Sequence, residues 1–500
     1  MGFPLNQGTV KDGILTCHWH HARFDLMNGG TFDQWAGDVT SFPVEIRNGK
    51  EVWIDVSPAV AANTNSYYYH QTLLQNAPKQ NIPLMIAKTV IAMLSDTGGN
   101  TKDTNEKKEI DNSGGLLNAF RAGLDFGSHY KQSGWGQGLT IHTSMMNIIP
   151  YLDTEDKPYA LYHGLSAVAQ DCASMPPRFR VSPLPKPWPD LFTLKRWFRQ
   201  FVESRDGQAA ERCIVTAVRL GANSSEQSDI LFAAVTDHRF LDVGHVLDFT
   251  NKGLEALDTV GWGEEDYNNK NNNSSTSNNK DLVESVLSSL VSGYANAERM
   301  EESNSWRYSV DLIDILETSF KELPAVLNNG SRFRQQIEQE GAQDKTTKRR
   351  SWHQRNQLLT VLLGDDPQLI VRSLLDALSL GATQEELAEI VAYAAALRIV
   401  QFHTRNEFSD WDTVLHTFTY TNAVHQGLRR MTSQELLRGV FDGAMRVYLN
   451  RFLNVPPVPL PKPKNLKTGN ININDKNTAK DPEVLLSEFA ALLDLSLIHI

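Results

Sequence analysis

The sequence predicts a multi-domain protein, a partial small antiparallel β domain followed by a mainly α-helical domain with an internal repeat. Three observations carry that prediction. Short β-type segments divided by turn residues fill residues 1–56, hydrophobic spacing becomes helical from about residue 66 onward, and two blocks of the helical part resemble one another. At 500 residues the chain also exceeds what one hydrophobic core usually supports.

In chain order, Lys11-Asp12-Gly13 turns into a strand that ends at Cys17, and Asn28-Gly29-Gly30 ends the next one. Val44 to Val56 reads as a hairpin around Asn48-Gly49, a dipeptide that tolerates the positive φ values of a type I′ turn. Residues 57–115 are expected to form a helical connector with a polar break at 101–114. Residues 116–454 make the all-helical domain, interrupted at 264–280 by an Asn-, Ser- and Lys-rich run expected to be a disordered loop. A Pro- and Asn-rich linker follows at 455–481, then a short amphipathic helix at 482–494. Residues 495–500 resemble the translation of a sequencing adaptor and are set aside.

The repeat spans about 217–258 and 377–430. Leu220-Gly221-Ala222-Asn223 with Glu226 matches Leu380-Gly381-Ala382-Thr383 with Glu386, each a capping residue three positions before a glutamate. Further on, His245 to Asn251 matches His416 to Asn422. Eleven extra residues separate the blocks in the second copy, about three helical turns, which would keep the downstream side chains on one face. Two helical halves about a pseudo-twofold axis are the consequence. Within the second, Leu387, Ile390, Val391 and Ala394 form a core face, with Arg398 at its end expected outside it.

A net charge of -11 argues against nucleic acid or an anionic membrane as the main partner. No apolar run is long enough to span a bilayer, and the expected location is the cytoplasm. Three cysteines give no disulfide framework; Cys172 and Cys213 read as small buried hydrophobes. Tyr67-Tyr68-Tyr69-His70 reads as core packing, Glu301-Glu302 with Trp306-Arg307 as a solvated helix face, and Lys348-Arg349-Arg350 as a solvated turn.

The chemistry lies in Cys17-His18-Trp19-His20-His21, followed by Phe24-Asp25. This stretch resembles the second ligand loop of Rieske domains, Cys-Pro-Trp-His-Gly before a Phe-Asp strand. The resemblance implies a 2Fe-2S cluster with Cys17 as thiolate on one iron and His20 as imidazole on the other. It also implies a first Cys-x-His pair about sixteen residues earlier. Pro4-Leu5 and Asn6-Gln7-Gly8 resemble the residues just after that pair in the family, so the missing ligands are expected immediately ahead of Met1. His18 stands where proline is usual and His21 where glycine is usual. Without the resemblance, the residues allow a Cys-His pair on a β-hairpin with no metal.

A second metal is a further expectation. On continuous helices His238, Asp242 and His245 would share a face, as would His403, Glu407 and Asp410, and with His416 they could meet across a helix pair around an ion such as non-haem iron. The plainer alternative makes His245 and His416 caps or packing bridges. Asp242-x-x-His245 echoes the iron motif of ring-hydroxylating Rieske oxygenases without its second histidine. Gly381 to Leu387 is similar to a helix opening in carboxymuconolactone decarboxylase-like proteins, whose cysteine chemistry is absent here. The expected function is therefore electron transfer through a Rieske-type cluster, as part of an oxidoreductase with a redox partner protein or reductase. The alternative is a Rieske-derived module without a working cluster, serving a binding or interaction role.

Overall fold

Asp12 and Gly13 take φ of 51° and 79°, the paired positive values of a type I′ turn, and fold β1 (Thr9–Lys11) back onto β2 (Ile14–Thr16). β3 (Arg23–Asp25) pairs antiparallel with β2, Leu15 opposite Phe24, giving the order β1-β2-β3. A separate ribbon of β4 (Val44–Arg47) and β5 (Glu51–Ile54) turns at Asn48 and Gly49, with φ of 53° and 68°. Every residue of that ribbon is exposed. The computed structural model describes residues 4–54 except 27–28, 34–35, 37–38, 40–41 and 43; residues 86, 87 and 90; residues 113–262 except 180; and residues 273–341 and 354–459.

Cys17, Ala22 and Phe24 form a small core for the sheet, with Leu5, Leu15, Ala36 and Val39 packed around it. Everything described after Ile54 is helix or connection. The helices are α1 (Ser113–Tyr130), α2 (Gln137–Ile148), α3 (Lys157–Asp171), α4 (Leu191–Glu203), α5 (Gly207–Leu220), α6 (Ser224–Val235), α7 (His245–Val260) and α8 (Asn273–Asn296). They continue as α9 (Asn304–Arg307), α10 (Leu312–Gly341), α11 (Arg355–Leu362), α12 (Pro367–Ser379), α13 (Gln384–Val400), α14 (Phe408–Arg430) and α15 (Gln434–Asn450). One hydrophobic core runs through them from Ile86 to Tyr448, and Phe32 of the β region packs against it. Among the described residues no helix is long and apolar enough to cross a membrane.

The two Leu-Gly-Ala segments have the same geometry. Gly221 and Gly381, at φ 89° and 91°, end α5 and α12 in the left-handed region that glycine enters without a Cβ penalty. The next amide reaches back in both, Ala222 N to Ala217 O at 3.1 Å and Ala382 N to Ala377 O at 2.9 Å. Asn223 with Glu226 and Thr383 with Glu386 then close reciprocal capping boxes on α6 and α13. The likeness extends beyond these segments. α4 packs on α5 and α6 as α11 does on α12 and α13, and α5 meets α8 as α12 meets α15. α7 and α14 also pack on each other, bringing the matching His245 and His416 to a ring-centroid distance of 4.5 Å.

Several expectations need correction. The extra residues of the second half are not one helical insertion: α13 has 17 residues against 12 in α6, and α14 starts at Phe408, ahead of His416, whereas α7 starts at His245 itself. The stretch expected as a loop at 264–280 is helical from Asn273 on, and the polar break at 101–114 ends in helix from Ser113. Arg398 is not outside the core; it is 5% exposed, its guanidinium donating to Leu363 O at 3.2 Å. Trp306 is fully buried rather than on a solvated face. Tyr67 to His70, Lys348 to Arg350, the linker from 460, the 482–494 helix and the tail lie outside the described residues.

Candidate functional site

The loop from Cys17 to Ala22 joins β2 to β3. Its ends are tied by the Cys17 amide, which donates to Ala22 O at 2.8 Å. Cys17 is 6% exposed, its side chain in the sheet's small core, while Trp19 and His20 stand at the exposed tip with rings stacked at 5.5 Å. His18 is turned to β1, where its Nε2 lies 2.5 Å from Thr9 Oγ1. His21 has φ 59°. A position that requires left-handed backbone favours glycine, and a side chain there costs about 1–2 kcal/mol. The Arg23–Asp33 ion pair at 2.9 Å, with the Arg23 amide also donating to Asp33, holds β3 against the segment after it.

A mixed-ligand 2Fe-2S cluster needs two thiolates and two imidazoles. Cys17 and His20 have the chemistry of one ligand of each kind, the cysteine at the buried base of the loop and the histidine at its exposed tip. The other two cysteines cannot complete it. Cys172 and Cys213 are buried in the helical core, where loss of solvation pushes both thiols up to about 12. Among the described residues no group of three or more His, Cys, Asp or Glu converges to hold a metal ion.

The residues expected around a second metal are dispersed. α6 ends at Val235, and the chain does not resume as α-helix until His245, so His238, Asp242 and His245 do not share a helix face. His238 instead bridges two carboxylates, Nδ1 to Glu301 and Nε2 to Glu203, each at 2.6 Å. Hydrogen bonding to Glu301 raises its pKa, and no ring nitrogen is left for a metal. His403 lies before α14, its Nδ1 accepting from the Arg405 amide at 3.0 Å. Glu407 and Asp410 cap α14 reciprocally. His245 and His416 meet, packed with Phe249, and Asp242 lies near enough to His245 to act on its charge. Burial, followed by the neighbouring His416, lowers the His245 pKa. The packed rings bridge α7 and α14.

Sequence reasoning missed the polar group that lies beside this junction. Arg239 Nη1 donates to Asp442 Oδ1 at 3.1 Å, Nη2 donates to Thr236 O, and the guanidinium lies 4.8 Å from the Phe320 ring centroid. Tyr420 Oη donates to the other oxygen of Asp442 at 3.4 Å. Asp442 is fully buried, and loss of solvation outweighs Arg239 to bring its pKa up to about 6. The adjoining connection is strained: Phe240, Asp242 and Val243 all have φ near 50° and Gly244 has φ 96°. A β-branched valine there is an outlier, and each such residue costs about 1–3 kcal/mol unless its surroundings fix it. Here the Asp242 amide donates to Glu298 O at 2.8 Å and the Arg239 amide to Glu301. Gly244 fits because a Cβ would press on Phe240 and Tyr420 at 2.9 and 3.0 Å. The available signal was Thr236-Asp-His-Arg-Phe240, a polar run placed between two apolar helices.

His142 was also missed. It sits in α2 between Gly123 of α1 and Gly164 of α3, where an added Cβ would come within 2.5 Å of its ring nitrogens. Its Nε2 bonds to Phe120 O at 2.9 Å. Complete burial lowers its pKa to about 4.

No family model matches the chain, and no curated protein and no solved structure matches it. The geometry defines a protein with a Cys-His loop on a small antiparallel sheet, followed by a mostly helical region.

Proposed function

We propose that Cys17 and His20 are two ligands of a Rieske-type 2Fe-2S cluster and that the chain serves electron transfer in an oxidoreductase. The observation that carries the reading is the loop itself, with a buried cysteine at its base and an exposed histidine at its tip between paired strands. The cluster, when bound, supplies one-electron transfer. Cys17 would hold one iron from inside the apolar core, and Ala22, Phe24 and Leu15 would keep water from the sulfur side. His20 would hold the other iron at the surface, where a redox partner can approach. His18, turned toward Thr9, stays out of the ligand set. A complete cluster would need a second thiolate and a second imidazole beside Cys17 and His20.

The scattering of His238, His403 and the carboxylates favours a helical domain that binds substrate or partner over one with a metal of its own. The competing reading, a Rieske-derived module without a cluster, is favoured by His21, which carries a side chain at a left-handed position. The two readings separate on metal content. Protein isolated anaerobically from its own cells is expected to contain two irons and two labile sulfides per chain, lost in Cys17→Ser. Iron-free wild-type protein of the same fold would leave the module reading.

A further inference from the structure

We propose that Arg446 and Trp306, in the interior of the helical domain, form a binding site for the carboxylate of a small organic acid. Arg446 lies on α15, one turn beyond Asp442, and is 7% exposed. Among the described residues no group accepts from its buried Nε, and no ion pair neutralises it. The partners of Asp442 are Arg239 and Tyr420, one on each carboxylate oxygen. Burial alone lowers the Arg446 pKa, to about 10, so the group remains a cation at neutral pH.

The second observation is independent. Trp306 is fully buried on α9, and its indole Nε1 likewise has no acceptor. Its ring centroid is 6.0 Å from the Arg446 guanidinium carbon, so the two residues that carry these unpartnered donors are neighbours in the interior. Buried donors without acceptors are rare because each forgoes its solvation for nothing. A planar carboxylate suits them, since the edge of a guanidinium that includes Nε offers two parallel N–H bonds in one plane. Phe240, whose ring centroid is 4.6 Å from the same carbon, packs against the guanidinium. Phe240 also belongs to the strained connection before α7, which would place a backbone under tension beside the ligand. None of these residues belongs to the β region, so the proposal stands apart from the cluster.

The test uses full-length protein with 15N in its ten tryptophans. The Trp306 indole resonance is assigned by its loss in Trp306→Phe. Titration with benzoate is expected to move that resonance to saturation, and the neutral isostere benzamide is expected to leave it in place. Arg446→Lys keeps the charge but loses the planar fork and is expected to weaken benzoate about tenfold. A Trp306 resonance that ignores benzoate overturns the proposal, as does an equal response to benzamide. A response to inorganic phosphate in place of benzoate overturns the carboxylate assignment. The wild-type comparison of the two aromatic probes needs only the Trp306→Phe assignment and is decisive even if Arg446→Lys fails to fold.

Discussion

Arg239→Met is expected to destabilise the protein by about 3–5 kcal/mol, far more than the ion pair it removes is worth. A buried pair is near neutral overall, because its attraction roughly offsets the solvation both groups give up. Removing only the cation leaves Asp442, at 0% exposure, with no charge to oppose it. The size of the effect should follow pH. The Asp442 pKa is already raised from 3.8 to about 6, so in the wild type its contribution to stability is complete below pH 3.8 and is lost as pH rises through 6. Without Arg239 it rises further, and the carboxyl can fold neutral over a wider range. Denaturant unfolding should therefore show a larger loss at about pH 8 than at about pH 5. Arg239→Met with Asp442→Leu should recover much of the loss, because no charge is then stranded. A single variant within about 0.5 kcal/mol of wild type, as for an ordinary surface change, would contradict this account.

The second large effect has the opposite sign with pH and belongs to His142. Its folded pKa of about 4 is below the unfolded 6.5, so its contribution is complete above pH 6.5 and is lost as pH falls through 4. Integrated over that window the loss is roughly 3 kcal/mol. Asp442 gains stability over much of the same range, so the wild-type pH profile alone understates both groups. His142→Gln separates them, since glutamine can still donate to Phe120 O without acquiring a charge. The difference in unfolding free energy between wild type and His142→Gln should grow in favour of the variant as pH falls from 6.5 to 4. A difference independent of pH would mean that the ring is hydrated in the folded protein.

What could be read from the residues was local. Asn48-Gly49, Gly221, Gly381 and the two capping pairs specify backbone geometry within four or five positions, and each does so by a side chain that is present or missing. His238, Asp242 and His245 misled for the same reason. Their spacing suits a helix, but the helix ends at Val235, and the left-handed values at Phe240, Asp242 and Val243 are imposed by Glu298 and Glu301 from far along the chain. Arg239 and Asp442 are 203 positions apart, and no periodicity links them. Arg398 has the spacing of a core residue and the charge of a surface one. The carbonyl of Leu363 and the side chain of Gln401 decide in favour of burial. At the β end, the Cys17–His20 spacing was legible, and so was the exchange of the usual glycine for His21. The structure adds that the position is left-handed.

The proposed cluster requires Cys17 and His20 to face different irons, and spin resonance reads that directly. Dithionite-reduced protein from its own cells should give the rhombic signal of a mixed-ligand 2Fe-2S centre, with 14N hyperfine coupling from two imidazoles that falls to one in His20→Cys. Reduced wild-type protein that carries iron and sulfide but shows no imidazole coupling would contradict the assignment.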